Sequence, residues 1–341
     1  MEQQCSKEQG VLRNTNIEVL RFVLMVAICF WHVIVHGFNF KSIGNPGYFL
    51  SVDRATITFF CSLFSPSVYC FLVISGWSGI NFSLKKYLYF AFLAFSCYGL
   101  SIVFLLLWGE DNIEWPSIMS HIFPIASYKW WFMTYYVMVF LFAPFLECGL
   151  KVLDIRVIKL ILCISTFMVV GNFILMAPFA GYSFFDLLYI YFLTRYLRMA
   201  NFHCSRKVLC VIYIFSLLLL WGACYMASGL TGYNANLSFR LLNYSNPLII
   251  LMAFSIFFYV KDLKPFFCSK INFILSNTLV IYLLTEGVGG FLYKYEAMLI
   301  SENLLCGIAV VLMTIIICLL VGKCLSYVFD GIFSSVVSDK K

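Results

Sequence analysis

NTNIEVLRFVLMVAICFWHVIVHGF, residues 14–38, is an apolar run long enough to cross a bilayer, yet it carries Glu18, Arg21 and His32. About 20 apolar residues suffice for a transmembrane helix. An ionised side chain near the centre of one costs about 2.5–3.5 kcal/mol on insertion. Helical geometry places Arg21 and His32 about 20° from eclipsed and roughly 16 Å apart along the axis. Glu18, three residues before Arg21, lies on the same side. One stripe therefore carries Glu18, Arg21, Met25, Ile28 and His32. Facing lipid it would be unstable, so it is expected to face the interior of a helical bundle. In the structural reading, Glu18 and Arg21 pair near an interface and His32 is a hydrogen-bonded core residue. In the functional reading, the stripe lines a reaction path. Ionisable groups aligned on one buried stripe favour the second.

Composition sets the class. Of 341 residues, 62% are hydrophobic and 11% charged, and the mean hydropathy is +0.93. Soluble domains run at roughly a quarter charged residues. The expected fold is all-α, a polytopic transmembrane helical bundle. Apolar runs predict about ten spans, at 17–38, 55–78, 87–108, 130–147, 157–177, 181–197, 208–228, 246–260, 272–293 and 303–329. The second is interrupted at Ser65-Pro66, where a kink or broken helix is expected. Residues 1–16 form an N-terminal segment, 17–329 the membrane domain and 330–341 a tail. The first run is too long for a signal-peptide core and reads as a retained signal anchor.

Loop charge orients the spans. Seventeen of the 23 Lys and Arg residues fall on the side of the N-terminus, five fall opposite, and Arg21 lies within the first run. Such asymmetry marks the N-terminal side as cytoplasmic, and both termini are expected there. The acidic loop with Glu110, Asp111 and Glu114 falls outside. The net charge of +7 sits in short loops and offers no nucleic-acid surface.

Metal chemistry finds little support. His32 and His36 are at i and i+4, but the other two histidines, His121 and His203, fall in an outer and an inner loop. Neither is placed to complete a membrane-embedded site. The cysteines fall singly, without a CxxC pair, and read as packing residues.

Several segments resemble the integral-membrane acyltransferase family, acyltransferase three, and do so in order. They are EVLRFVLMVAICFWH at 18–32, SVYCFLVISGW at 67–77 followed by Lys85-Lys86, and WWFMTYYVMVFLFAPFL at 130–146. YFLTRYLR at 191–198, NPLIILMAFSIFFY at 246–259 and LSNTLVIYLL at 275–284 follow. The resemblance implies transfer of an acetyl or other short acyl group from cytoplasmic acyl-CoA to a hydroxyl of a surface or lipid-linked glycan. It implies polysaccharide O-acetylation in a bacterial cytoplasmic membrane, with acetyl-CoA as donor substrate and no metal. His32 takes the place of the family's catalytic histidine, and Arg21 that of its arginine in the same span. Two positions depart from the family. Many relatives carry His after the IYL motif, where this chain has Thr285 and Glu286; an RxxR after the second span is matched only by Lys85-Lys86.

Acyl transfer needs a base for the hydroxyl proton, and imidazole suits that task. Whether His32 acts as base or transient acyl carrier stays open at this level. Glu18, about 21 Å along the axis from His32, is too far to orient it and is assigned to Arg21. Arg21, Lys85, Lys86, Arg195 and Arg198 are candidates to hold the donor's phosphates, although positive-inside topology alone explains basic loops. Trp130, Trp131 and Tyr135 are candidates for sugar stacking at the acceptor mouth, or else belt anchors. The alternative function is a transporter or flippase for lipid-linked glycans, which has no evident need for an imidazole aligned with an arginine. An inactive relative serving as an assembly partner is a third reading, opposed by the presence of both His32 and Arg21.

Overall fold

A computed structural model describes residues 13–38, 53–108, 124–175, 177, 180–230 and 235–333. Helix α1 (Thr15–His32) starts at Asn14, whose side chain accepts from Asn16 N. It runs on into a π-helical turn over Val33–Gly37, closed by Phe38 N donating to Val33 O at 3.0 Å. The second apolar run is two helices, α2 (Arg54–Phe64) and α3 (Ser67–Ser78). Pro66 cannot donate to the ladder, and the helix breaks at the Ser65-Pro66 turn as expected. The hydroxyls of Ser62 and Ser65 donate to the carbonyls of Thr58 and Ser62, at 2.8 and 2.9 Å.

Then come α4 (Leu84–Leu107), α5 (Trp131–Val152), α6 (Ile155–Ile174) and α7 (Phe184–Met199). Ser83, Asp154 and Ser183 cap α4, α6 and α7 through their side chains, which satisfies first-turn N–H groups that have no partner within the helix. Next are α8 (Arg206–Leu230), α9 (Ala235–Leu241) and α10 (Pro247–Lys261). The chain ends in α11 (Ser269–Leu275), α12 (Thr278–Gly287), α13 (Gly289–Glu302) and α14 (Leu304–Phe333).

Each of the ten apolar runs is largely helical, but among the described residues seven helical segments are long and apolar enough to cross a membrane. An eighth is reached if the pair Ser269–Gly287 and Leu292–Glu302, bent by 89°, counts as one span. Against the expected ten, of which the sixth and eighth read as short, seven or eight of the described segments pass by length and composition. Helices α7 and α10, with 16 and 15 residues, rise only about 22–24 Å against a hydrocarbon core of about 30 Å. The ninth run breaks at Ser276-Asn277, where Asn277 Nδ2 donates to Gly322 O and Ser326 Oγ, 2.9 and 2.7 Å away. Helix α14 continues to Phe333, into the residues read from the sequence as the start of the tail. The N-terminal residues 1–12, Lys41, the acidic loop with Glu110, Asp111 and Glu114, His121, and residues 334–341 lie outside the described residues.

Helix α1 sits centrally, packed against α2, α3, α10, α11 and α12. The α2–α3 segment is 72% buried and α6 only 17%, so the first belongs to the interior and the second to the rim. Polar contacts define two ends. At one end, which we call the N-terminal end, Thr15 N donates to Phe266 O at 3.0 Å. Asn16 Nδ2 donates to Lys264 O at 3.0 Å, and Lys323 Nζ donates to Phe273 O. At the far end, Trp221 Nε1 donates to Ala55 O at 3.1 Å, and Gly37 lies against Tyr293.

Candidate active site

The stripe on α1 faces a cavity of about 640 Å³ between α1, α3, α4, α5 and α12. Arg21, Met25, Ile28 and His32 all line it, as the helical spacing requires. Arg13, Lys86, Ser276 and Thr278 line the same cavity from the N-terminal end; Trp31, His36, Trp131, Tyr182 and Tyr244 do so toward the far end. Arginine and imidazole therefore line one cavity. Glu18, 4% exposed, does not line it and holds Arg21 instead, with Oε1 accepting from Nη1 at 2.8 Å.

His32 is surrounded by aromatic and polar groups. The Tyr293 hydroxyl lies 3.2 Å from Nδ1 and donates to Glu286 Oε2 at 3.0 Å. Glu286 Oε2 is itself 3.4 Å from Nδ1. The ring centroids of His36, Tyr282 and Tyr293 stand 5.7, 6.3 and 5.4 Å from that of His32. Gly37 makes this arrangement possible. A Cβ there would stand 2.2 Å from the backbone oxygen of Tyr293, so the π-helical turn meets α13 only because residue 37 has no side chain.

The sequence placed Glu286 as a departure from the family pattern without assigning it a partner. Its neighbour Thr285 donates to Ile281 O at 2.8 Å and also borders a separate apolar groove of about 380 Å³ lined by Leu100, Ser101, Thr314 and Ile317. Consecutive helical positions diverge by about 100°, and only the acid reaches His32. Tyr293 gave no signal, since it lies 261 residues from His32. Glu286 did give one: an acid inside the run LVIYLLTEG satisfies the criterion that singled out Glu18 and Arg21. Glu296, also acidic and 2% exposed, was overlooked on the same ground.

The remaining candidates divide. Lys85 and Lys86 are both exposed; Lys86 lines the cavity and donates to Asn81 O at 3.3 Å, whereas Lys85 does not line it. Arg195 donates from Nη2 to Glu147 Oε2 at 2.6 Å, with Nε 2.5 Å from Oε1; Arg198 donates to Trp77 O. Both arginines lie outside the cavity, tying α7 to α5 and to the end of α3. Trp131 lines the cavity within an aromatic cluster, 4.8 Å from Tyr182 and 5.6 Å from Tyr244 between centroids. Trp130 is fully buried and packs against Tyr98 at 5.6 Å. Tyr135 faces Tyr128 at 5.8 Å rather than the cavity.

An all-helical, multi-pass membrane protein with ionisable groups around an internal cavity is thereby defined. The acyltransferase 3 family, described as an acyltransferase domain, matches residues 14–323, and the chain belongs to that family. It is a membrane acyltransferase. No curated protein and no solved structure matches it.

Proposed function

We propose that the protein moves an acetyl or other short acyl group from cytoplasmic acyl-CoA to a hydroxyl of a surface or lipid-linked glycan, in a bacterial cytoplasmic membrane. The observation that carries this reading is the shared cavity: Arg21 at one end and His32 deeper, on one helix face. Coenzyme A bears its phosphates at one end and its thioester on a long thin arm. Arg13, Arg21 and Lys86 line the N-terminal end and suit the phosphates, while the arm extends toward His32. The N-terminal end is then the cytoplasmic one, in agreement with the loop charges.

At the far end, Trp131, Tyr182 and Tyr244 line the cavity and give it an aromatic wall suited to a sugar. Trp31 Nε1, buried without a partner, lines the same cavity and supplies a donor for an acceptor oxygen. As general base, the imidazole takes the acceptor's hydroxyl proton as the oxygen attacks the thioester carbonyl. The tetrahedral oxyanion collapses, the C–S bond breaks, and the thiolate of coenzyme A takes the proton back. As carrier, the imidazole accepts the acyl group from sulfur and passes it to the hydroxyl oxygen, whose proton ends on the thiolate.

Full-length protein in lipid nanodiscs, given labelled acetyl-CoA and the host's membrane glycan fraction, tests the reading. His32→Ala is expected to lower transfer at least 1000-fold at unchanged protein yield. Transfer within tenfold of wild type removes His32 from the chemistry.

A further inference from the structure

We propose that Glu286 and Tyr293 are positioning residues for His32, fixing Nδ1 as its protonated nitrogen and leaving Nε2 to meet substrate. The inference rests on the reading of His32 given above.

Hydrogen counting carries it. A tyrosine hydroxyl has one proton to donate, and a carboxylate only accepts. The Tyr293 hydroxyl donates to Glu286 Oε2 at 3.0 Å, so its contact with His32 Nδ1 at 3.2 Å is completed by a proton on Nδ1. The direct Nδ1–Oε2 separation of 3.4 Å is long for a hydrogen bond. Tyr293 therefore makes the contact and Glu286 stands behind it. The hydrogen bond at one ring nitrogen sets the tautomer of the other, and Nε2 keeps its lone pair.

The same geometry favours the charged ring that forms when Nε2 takes a proton. The groups facing His32 are His36 from the π-helical turn, Tyr282 and Glu286 from α12, and Tyr293 from α13. Of these, Glu286 alone is an acid. Packing holds the pair in place from both sides. Gly37 lets α13 approach the end of α1, and a Cβ on Gly287 would lie 2.1 Å from Ser101 Oγ, so α12 seats closely on α4 beside Glu286. The position where many relatives carry a histidine after the IYL motif thus gives way, one residue on, to an acid that reaches the catalytic imidazole through a tyrosine.

Glu286→Gln, Tyr293→Phe and the double variant, as full-length protein in nanodiscs with labelled acetyl-CoA, provide the test. Glu286→Gln is expected to lower kcat on the order of 100-fold and Tyr293→Phe roughly tenfold. KM for acetyl-CoA is expected to stay within about twofold in both, because neither residue touches the donor's charged end. The double variant should fall no further than Glu286→Gln, since the residues act as one unit, and Glu286→Asp should recover part of the loss. Nitrogen-15 NMR of labelled imidazoles gives an independent readout. The His32 signal, found by difference against His32→Ala, is expected to show protonated Nδ1 and bare Nε2 in wild type, and mixed tautomers in the variants. Wild-type kcat in both single variants, or a wild-type spectrum with bare Nδ1, overturns the assignment. If Glu286→Gln fails to fold, Tyr293→Phe and the wild-type spectrum decide. Loss of activity in His32→Ala beside normal Glu286→Gln sinks this inference alone; an active His32→Ala sinks the reading beneath it.

Discussion

Arg21 illustrates how one side chain serves two demands. It lines the cavity, yet its charge is balanced by the buried Glu18 at 2.8 Å, which reduces the cost of a guanidinium inside a span. Glu18 accepts through Oε1 from Nη1, which leaves other guanidinium donors for an anion. Arg21→Ala is expected to raise KM for acetyl-CoA roughly tenfold with kcat little changed, the signature of a group that binds the donor's charged end in ground and transition states alike. Donor saturation curves at two ionic strengths check it: the wild-type KM should rise with salt and the variant's should rise less. Unchanged KM, or equal salt dependence, takes Arg21 out of donor binding. Trp130 and Trp131 show the limit of residue-level reading. Adjacent in sequence, one is the non-helical residue that precedes α5 and the other its first helical residue, and composition could not tell which one meets the cavity.

At the scale of elements, the face of α1 was legible because the 3.6-residue period carries information over eleven residues. Arg21, Met25, Ile28 and His32 fall on one cavity wall as that period requires. The break at Ser65-Pro66 was legible from proline chemistry. The partners that α12 and α13 bring to His32 were not, because contacts across 250 residues leave no local pattern. Neither was the π-helical turn over Val33–Gly37, which an apolar run cannot distinguish from continued α-helix. Its last residue supports a prediction. Gly37→Ala sets a methyl group against the Tyr293 carbonyl, and relief requires α13 to move away from α1. The expected cost is about 1–3 kcal/mol of overpacking, read as a lower unfolding temperature in detergent, with a loss of kcat as Tyr293 leaves Nδ1. Wild-type stability and activity together would show that the close approach has no consequence.

For the whole molecule, ten apolar runs were visible, and the sixth and eighth already read as short in the sequence; the sharp bend at the end of the ninth was not visible. Helices α7 and α10 stop short of a full crossing, and α12 turns into α13 at a sharp bend. A bundle interior tolerates such segments because neighbouring helices, not lipid, surround them. The result is a cavity reached by basic side chains at one end and lined by aromatic rings at the other, with an imidazole between. That arrangement suits a reaction whose charged donor and hydroxyl acceptor enter from opposite sides. The most direct test is NMR of ester-linked acyl groups on the host's surface glycan, in cells producing equal amounts of wild-type protein or His32→Ala. Acyl signals present with the wild type and lost with the variant are expected. Equal acyl content in the two would contradict a histidine-centred transfer onto that glycan.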